Sequence, residues 1–247
     1  MSYKGVYNFF GPFVRIFYNL RVSGAENEPK NGPFIVCPNH ISAHDPVIVD
    51  AALHHQMRFF AKAELFRIPL LKQLITSLGA YPVNRGASDV RAIRKTVEIL
   101  ENGECVCIFP QGTRYTGVKP NASQTRSGVG MIAFRSKAPV LPVLIQTKGW
   151  KVSPFKRVNV VIGKPITYDE LGFTTGNKSE YERASEIIFD RISAMITDDY
   201  GEDTLMLPKP KKKYQLWEEK KSLKALPSGE RKALPDGKAS ASEKDGD

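Results

Sequence analysis

Short apolar segments alternate along this chain with longer segments whose apolar residues recur at helical spacing, and this alternation restricts the fold more than any other feature. Apolar runs typical of strands cover residues 33–38, 58–61, 105–109, 140–146 and 158–162. Helical patterns cover residues 45–56, 88–103, 126–136 and 178–196. Strands that alternate with helices predict an α/β domain with a mixed, largely parallel sheet flanked by helices.

Aromatic and aliphatic side chains recur at helical spacing over residues 1–20, and the charges near them are the cations Lys4, Arg15 and Arg21. The Gly11-Pro12 pair is expected to kink or split this helix. A helix packed on the core and a helix lying in a membrane interface both fit the pattern, and the mixture of aromatic and basic residues favours the interface. We therefore predict an N-terminal amphipathic interfacial helix region at residues 1–24.

The composition changes near Pro208, beyond which the chain is rich in lysine, proline, serine and glycine. This composition predicts a basic, mostly disordered tail at residues 208–247, which leaves one folded domain at residues 25–207. The tail either keeps the protein soluble or adds attraction to an anionic membrane, at about 1 kcal/mol per basic residue near the surface. Composition leaves both roles open.

The formal net charge is +10 and 41% of the residues are hydrophobic, which indicates a folded protein with anionic partners. The sequence contains no run of about 18 apolar residues and no secretory signal, so we expect it at the cytoplasmic face of the cell membrane, peripheral or monotopic. Its basic residues outside the tail are dispersed and carry no nucleic-acid-binding signature. Anionic lipid is therefore the expected surface partner, and nucleic acid is not.

The three cysteines, Cys37, Cys105 and Cys107, all lie in apolar, strand-like runs. An odd number argues against a disulfide framework, and we expect small buried hydrophobic residues in a reducing compartment. The Cys-x-Cys pair places both thiols on one face of a strand, which is not the spacing of a zinc knuckle.

A histidine and an aspartate, His40 and Asp45, follow the first buried strand across a strand-to-helix turn. A hydroxyl is a weak nucleophile at neutral pH, so group transfer to it needs a base, and histidine is the usual choice. A carboxylate bonded to the other ring nitrogen would fix the tautomer and stabilise the imidazolium. Asp45 followed by Pro46 is also typical of a helix N-cap, so the pair alone leaves a structural role open.

Two arginines end short segments that follow glycine turns or strands. Arg85 ends the segment from Gly79, and Arg114 ends the segment from Phe109, directly after a buried strand. A Gly-Thr turn at a strand end exposes backbone N–H groups to an anion, and arginine holds phosphate oxygens in a bidentate fork. Two such arginines suit a phosphomonoester, although each could also form a surface salt bridge. In the next strand, residues 139–143, the prolines predict an edge position.

In order and spacing, four of these segments resemble the motifs of the glycerolipid acyltransferases, above all the bacterial 1-acylglycerol-3-phosphate acyltransferases. They are residues 39–45 with the His-x4-Asp pattern, 79–85, 109–114 and 140–143. The segment 163–166, Gly-Lys-Pro-Ile, is also similar to one near the end of such domains. The resemblance covers about residues 10 to 200. It implies a single glycerolipid-acyltransferase-like domain.

The resemblance implies that a fatty acyl group passes from acyl-CoA or acyl-carrier protein to the sn-2 hydroxyl of 1-acyl-sn-glycerol 3-phosphate (lysophosphatidic acid), giving phosphatidic acid. His40 would be the general base and Asp45 its orienting carboxylate, with no metal, no tightly bound cofactor and no acyl-enzyme intermediate. The implied site for the acceptor and its phosphate consists of Arg85, Gln111, Gly112, Thr113 and Arg114.

The chain departs from the family pattern at Gln111, where the third motif usually carries glutamate. Glutamine keeps an acceptor oxygen and adds donors, but it loses the negative charge. It can orient a substrate hydroxyl or an arginine, but it cannot form a salt bridge. The acceptor therefore stays open at this stage, with another lysophospholipid and glycerol 3-phosphate as alternatives.

Two other classes of function remain as alternatives. His40, His44, Asp45 and Cys37 are close enough in sequence to suggest a hydrolytic metal site, although the glutamate of a His-Glu-x-x-His motif is missing. A non-catalytic protein that binds anionic lipid would also explain the positive charge. For the enzyme, we expect the N-terminal helix and the mostly apolar residues 65–78 to form the membrane-facing side.

Overall fold

We describe residues 11–77, 79–83 and 90–197, which are taken from a computed structural model of the protein. The strands are β1 (Leu20–Ser23), β2 (Ile35–Pro38), β3 (Met57–Lys62), β4 (Ala80–Val83), β5 (Cys105–Cys107), β6 (Val140–Thr147) and β7 (Val158–Ile162). The helices are α1, whose described part is residues 11–17, α2 (Asp45–Ala52), α3 (Pro69–Ser77), α4 (Val90–Glu101), α5 (Gly128–Ser136) and α6 (Lys178–Ser193). The alternation read from the sequence is confirmed, with β7 at the predicted bounds.

The strands form one seven-stranded sheet in the order β1-β7-β6-β2-β5-β3-β4. Strands β6, β2, β5, β3 and β4 run parallel to one another, whereas β7 is antiparallel to β6, and β1 runs parallel to β7. This confirms the mixed, largely parallel sheet. We call the side of the sheet at which β2 and β6 end the carboxyl edge. The amino end of β1 lies at the same edge because β1 runs in the opposite direction.

Helices cover both faces of the sheet, as a parallel sheet requires. One core cluster joins residues of α1 and α2 to one face, and Val36 and Ile48 are among its members. The other cluster joins α4, α5 and α6 to the opposite face and includes Ile35 and Phe189. Neighbouring residues of β2 thus point to opposite faces, and the strand is buried on both sides.

The expectation that the proline-containing strand lies at an edge is wrong. This strand is β6, which lies between β7 and β2. Pro142 pairs with Cys37 of β2, and its carbonyl accepts the N–H of Gly163 at 2.9 Å, on the other side of the strand. In a strand the N–H and the C=O of one residue point to the same side. The missing N–H of Pro142 therefore faces the end of β7, where pairing stops, and costs the β2 ladder nothing.

The N-terminal helix and α2 end earlier in the structure than the sequence predicts. The N-terminal region predicted at residues 1–24 contains β1 at its end, because Leu20–Ser23 pair with Val158–Val161 of β7. Residues 1–10 lie outside the described ranges. Helix α2 ends at Ala52 rather than near Gln56. It stops there because the carboxylate of Glu28 accepts the backbone N–H groups of both following histidines, His54 and His55.

The predicted cap at Ser88 and the tail at residues 208–247 also lie outside the described ranges. Within those ranges, every helix is too short or too polar to span a bilayer.

Candidate active site

The residues that follow β2 are held at the carboxyl edge by Asn39. Its side-chain oxygen accepts the N–H of Ile145 at 2.6 Å, and its Nδ2 donates to the carbonyl of Ile145 at 3.0 Å. The buried amide thus continues the pairing between β2 and β6 for one more residue. In open α/β sheets ligands bind at such strand ends. Asn39 places His40 in that position, near the middle of the sheet.

His40 and Asp45 form a direct hydrogen bond. Oδ2 of Asp45 lies 2.8 Å from Nδ1 of His40 and also accepts the N–H groups of Ile41 and Ser42, both at 2.7 Å. A carboxylate can only accept, so Nδ1 carries the proton and Nε2 has its lone pair free. The Asp45 side chain is fully buried, whereas that of His40 is 11% exposed. The pair has the geometry of a histidine base with an orienting carboxylate.

The expected helix N-cap at Asp45 is wrong in detail. The N-cap of α2 is His44, and no side chain caps the helix there. Asp45 is the first residue of α2, and its Oδ2 bonds backward to residues 40, 41 and 42 instead. The carboxylate thereby closes the turn between β2 and α2. It fixes the His40 ring and the loop backbone together.

The segment that follows β5 packs directly on this turn. The ring of Phe109 stacks on the ring of His40 with centroids 4.0 Å apart and an interplanar angle of 26°. The N–H of Tyr115 donates to the carbonyl of His40 at 2.8 Å, and Oγ1 of Thr116 donates to the carbonyl of Ile41 at 2.6 Å. The first and third sequence motifs therefore form one continuous site.

Gln111 lies inside this site rather than on its surface. Its side chain is fully buried, and its Oε1 accepts the backbone N–H of His40 at 2.5 Å. Its Nε2 donates to Oε1 of Gln124 at 2.6 Å. Both ends of the amide are therefore occupied by protein groups. The buried partner Gln124 was not predicted, because it lies in a polar segment, the short 3₁₀ turn Ala122–Gln124, without a motif.

The last three residues of the third motif are accessible. Gly112 and Arg114 are exposed, and Thr113 is half-buried. Gly112 has a left-handed φ of 62°, and a Cβ at this position would lie 3.3 Å from Cδ of Arg126. The exposed Arg126 side chain therefore lies beside the Gly-Thr turn, and the backbone N–H of Arg126 donates to the carbonyl of Pro110 at 3.0 Å.

Arg126 was not predicted as a site residue, since a single arginine at a helix start carries no distinguishing pattern. Neither Arg114 nor Arg126 forms an ion pair with a described carboxylate. Arg85, the other predicted phosphate ligand, lies outside the described ranges.

Of the four residues suggested as metal ligands, His40 and Asp45 are in contact, whereas Cys37 and His44 lie elsewhere. Cys37 belongs to the core cluster on the α5 and α6 face of the sheet. The ring of His44 lies against Tyr18, with centroids 5.8 Å apart. Among the described residues, no group of three or more histidine, cysteine, aspartate or glutamate side chains is placed to hold a metal ion.

Comparisons with known proteins agree with this arrangement. The profile of the family described as Acyltransferase matches residues 19–146, more than half of the chain. The 1-acyl-sn-glycerol-3-phosphate acyltransferase of Bacillus subtilis is 28% identical over 168 residues, which cover 65% of this chain and 82% of that protein. The protein of the same name from Borreliella burgdorferi is 32% identical over 126 residues, half of each chain.

A solved structure is similar to this chain in fold and in sequence. The crystal structure of the 1-acyl-sn-glycerophosphate (LPA) acyltransferase PlsC from Thermotoga maritima superposes with a TM-score of 0.59 at 29% identity. The alignment covers 78% of this chain and 81% of that chain. These matches confirm the resemblance that the four sequence segments indicate. The chain belongs to the acyltransferase family and is an acyltransferase enzyme.

Proposed function

We propose that this enzyme transfers a fatty acyl group from acyl-CoA or acyl-carrier protein to the sn-2 hydroxyl of 1-acyl-sn-glycerol 3-phosphate, giving phosphatidic acid for phospholipid biosynthesis. The observation that carries the proposal is the bonded His40–Asp45 pair at the carboxyl edge, where the adjoining Gly-Thr turn carries Arg114 and Arg126, two arginines without an acidic partner among the described residues. The names of the relatives in Bacillus and Borreliella support the same acceptor.

In the proposed reaction, Nε2 of His40 accepts the proton of the sn-2 hydroxyl while the hydroxyl oxygen attacks the carbonyl carbon of the thioester. The tetrahedral intermediate then collapses: the new ester remains, the carbon–sulfur bond breaks, and the imidazolium returns its proton to the departing thiolate. Asp45 stabilises the imidazolium between these two steps. A positioned base of this kind contributes roughly 100- to 10,000-fold to the rate.

The cysteines support direct transfer without an acyl-enzyme. All three cysteines of the chain are buried and free of disulfides. Burial raises the pKa of Cys37 and Cys107 well above the ordinary thiol value, and it raises the pKa of Cys105 to about 11. The thiolate is the nucleophilic form of cysteine. None of the three is therefore suited to carry the acyl group.

The acceptor phosphate is proposed to bind between Arg114 and Arg126, over the Gly112-Thr113 turn. The two guanidinium groups lack acidic partners among the described residues, and the glycine leaves the backbone accessible. Arginine matches a phosphomonoester with paired N–H groups. Gln111 is a positioning residue in this scheme, because it bonds the backbone of His40 and not the exterior.

We also propose that the enzyme works peripherally at the cytoplasmic face of the membrane, where an acylated acceptor resides. The net charge of +10 supports attraction to anionic headgroups. The large exposed apolar side chains of Phe13, Ile16 and Leu70 support contact with a bilayer.

The test is acyl transfer from acyl-CoA, and separately from acyl-carrier protein, to lysophosphatidic acid in detergent, with wild type and His40→Ala compared. We expect turnover by the wild type and a loss of about 100-fold or more in the variant, since the general base is removed. His44→Ala is the matched control: this exposed histidine lies four positions away and should keep near-wild-type activity. Turnover that survives His40→Ala would contradict the mechanism.

The acceptor is tested in the same assay by offering the wild type three hydroxyl compounds. Lysophosphatidic acid should be preferred to a monoacylglycerol, which lacks the phosphate, and to glycerol 3-phosphate, which lacks the acyl chain. Equal use of the monoacylglycerol would contradict the proposed phosphate site. A preference for glycerol 3-phosphate would identify a different acceptor and leave the proposed acyl-transfer chemistry in place.

A further inference from the structure

The large apolar side chains that face solvent are not scattered over the molecule. Those that are exposed among the described residues are Phe13, Ile16, Val47, Leu65, Ile68, Leu70 and Phe155. Single exposed apolar residues are common on soluble proteins, whereas a group on one side marks an interaction surface.

The sheet topology brings every one of these side chains to the carboxyl edge. Val47 lies in the first turn of α2, directly after the turn that holds His40. The group at residues 65–70 follows the carboxyl end of β3, and Phe155 follows that of β6. The exposed residues of α1 precede β1, whose amino end lies at the same edge. The apolar surface therefore lies at the same edge of the sheet as the candidate active site.

Phe155 is the most unusual member of this group. Its side chain is 72% exposed, and its backbone has a left-handed φ of 58°. Such a conformation is rare for a bulky residue, and it persists only where the surroundings hold it. Here the N–H of Phe155 donates to the carbonyl of Phe17 at 2.7 Å, and the two rings lie 5.0 Å apart. The ring is thus held outward beside α1 without gaining burial in the core.

The loop around Phe155 is also strongly basic. The hairpin connection from β6 to β7, residues 148–157, has no carboxylate, and its exposed cations are Lys148, Lys151, Lys156 and Arg157. None of the four forms an ion pair within the part of the chain that the structure describes. An exposed aromatic ring among unpaired cations complements an anionic bilayer, whose headgroups attract the cations and whose interface accepts the ring.

The loop is fastened to the active site as well as to α1. The carbonyl of Trp150 accepts the N–H of Gly117 at 2.9 Å, and Gly117 follows the segment that packs on His40. At the other end, Oγ1 of Thr147 donates to the carbonyl of Arg157 at 3.0 Å and closes the hairpin. A surface bound at the tip of this loop therefore lies at a fixed distance from the catalytic turn.

We propose that residues 151–157 form a membrane-inserting loop, in which Phe155 enters the interface of an anionic bilayer beside α1 while the flanking cations bind the headgroups. The inference deepens the proposed function, since it identifies how a lipid acceptor in the bilayer meets the carboxyl edge. It adds a loop to the sequence expectation, which assigned the membrane-facing side to the N-terminal helix and residues 65–78 alone.

The direct test places a tryptophan at the tip of the loop in the full chain. Phe155→Trp is mixed with vesicles of phosphatidylglycerol and phosphatidylcholine that carry brominated acyl chains, which quench tryptophan at short range. Lys178→Trp is the matched control, because this 84% exposed residue begins α6 at the opposite edge of the sheet. The two natural tryptophans are common to both variants. We expect quenching of the loop tryptophan well beyond that of the control.

A second variant removes the ring without threatening the fold. Phe155→Gly relieves the left-handed backbone, so its thermal unfolding temperature should be unchanged or higher. Its partition onto the same vesicles should fall by roughly tenfold, the effect of losing one buried aromatic side chain. Acyl transfer to acceptor in detergent should be unchanged, because the ring lies against Phe17 of α1 and not among the residues proposed for catalysis.

These outcomes separate this inference from the proposed function. Equal quenching at both tryptophan positions, or unchanged vesicle binding of Phe155→Gly, would overturn the membrane-inserting loop even if acyl transfer were established. That result would indicate that the surface binds an acidic protein and not a bilayer, because a ring that does not insert is not reached by the brominated lipid. Quenching and weakened vesicle binding would uphold the loop even if lysophosphatidic acid proved to be the wrong acceptor.

Discussion

Asp45 illustrates how one residue can determine a catalytic turn. Its Oδ2 accepts three hydrogen bonds, whereas its buried Oδ1 has no hydrogen-bond partner in the described part of the chain. The bond to Nδ1 fixes the orientation of the imidazole ring and leaves Nε2 on the side away from Asp45, while the two bonds from backbone N–H groups fix the turn. A helix cap would have placed the carboxylate on the N–H groups that follow it, and the histidine would have lost its partner.

Replacement of Asp45 by asparagine should therefore separate charge from shape. The amide oxygen can replace Oδ2 as the acceptor, while the amide NH2 occupies the place of Oδ1. We expect kcat to fall by about 100-fold or more because the imidazolium loses its counter-charge. The free energy of unfolding should fall by no more than about 3 kcal/mol, the cost of one buried group without a partner. Urea unfolding and steady-state kinetics measure the two effects, and an unchanged kcat would contradict the orienting role.

Gln111 shows a limit of motif comparison at the same scale. The sequence indicated a substrate-facing residue that had lost the family's charge. In the structure its amide bridges the N–H of His40 and the side chain of Gln124, so a neutral group suits its buried position. A buried carboxylate there would require Gln124 to present its NH2 group instead.

At the scale of elements, the contact between α5 and α6 depends on Gly130. A Cβ at this position would lie 2.1 Å from the carbonyl oxygen of Tyr181, so the two helices approach each other at their backbones. Ser185 continues this contact: its hydroxyl accepts the N–H of Gly130 at 3.1 Å and donates to the Tyr181 carbonyl at 2.8 Å. The pair supports the face of the sheet opposite α1 and α2.

We expect Gly130→Ala to lower the free energy of unfolding by about 1–3 kcal/mol, because the added methyl group forces the helices apart. Gly128→Ala is the control in the same helix, since a Cβ there meets no atom within 4 Å. That substitution should leave stability unchanged or raise it slightly, because alanine loses less conformational entropy on folding. Chemical denaturation of both variants measures the difference. Equal stabilities would contradict the close backbone contact, because they would mean that α6 shifts to accommodate the methyl group without a cost in free energy.

At the scale of the whole molecule, Glu28 fastens the connection between β1 and β2 to the end of α2. Its carboxylate lies 2.9 Å from Nδ1 of His54 and 2.8 Å from Nδ1 of His55, and it accepts both backbone N–H groups. Burial raises the pKa of Glu28, but the bonds from the His55 and His54 side chains and backbones outweigh it. The net pKa is lowered from the ordinary 4.5.

A lowered pKa in the folded state means that the ionised form of Glu28 stabilises the fold. This contribution is fully present above the ordinary carboxyl pKa and is lost as the pH falls through the lowered value. As the pH is lowered from about 5 to about 2, we expect the free energy of unfolding to fall, and this fall should be smaller in Glu28→Gln than in the wild type. Part of the fall should remain in this variant because of Glu180. Hydrogen bonds from Thr174, Gly176 and Thr175 lower the pKa of Glu180, so its ionised form also stabilises the fold. Denaturant unfolding of wild type and Glu28→Gln at several pH values measures the pH dependence of the free energy of unfolding. An identical dependence in both proteins would contradict the stabilising role of ionised Glu28.

Local patterns along the chain determined the strands and helices, as β7 at Val158–Ile162 and the His40–Asp45 turn show. Residues within a few positions of each other share a strand face or a turn, so their spacing alone limits what they can do. Only the tertiary structure decided that β6 lies inside the sheet despite Pro142, that Arg126 lies beside Gly112, and that Phe155 lies at the catalytic edge. Those contacts join distant parts of the chain, and their geometry follows from strand order and packing rather than from periodicity.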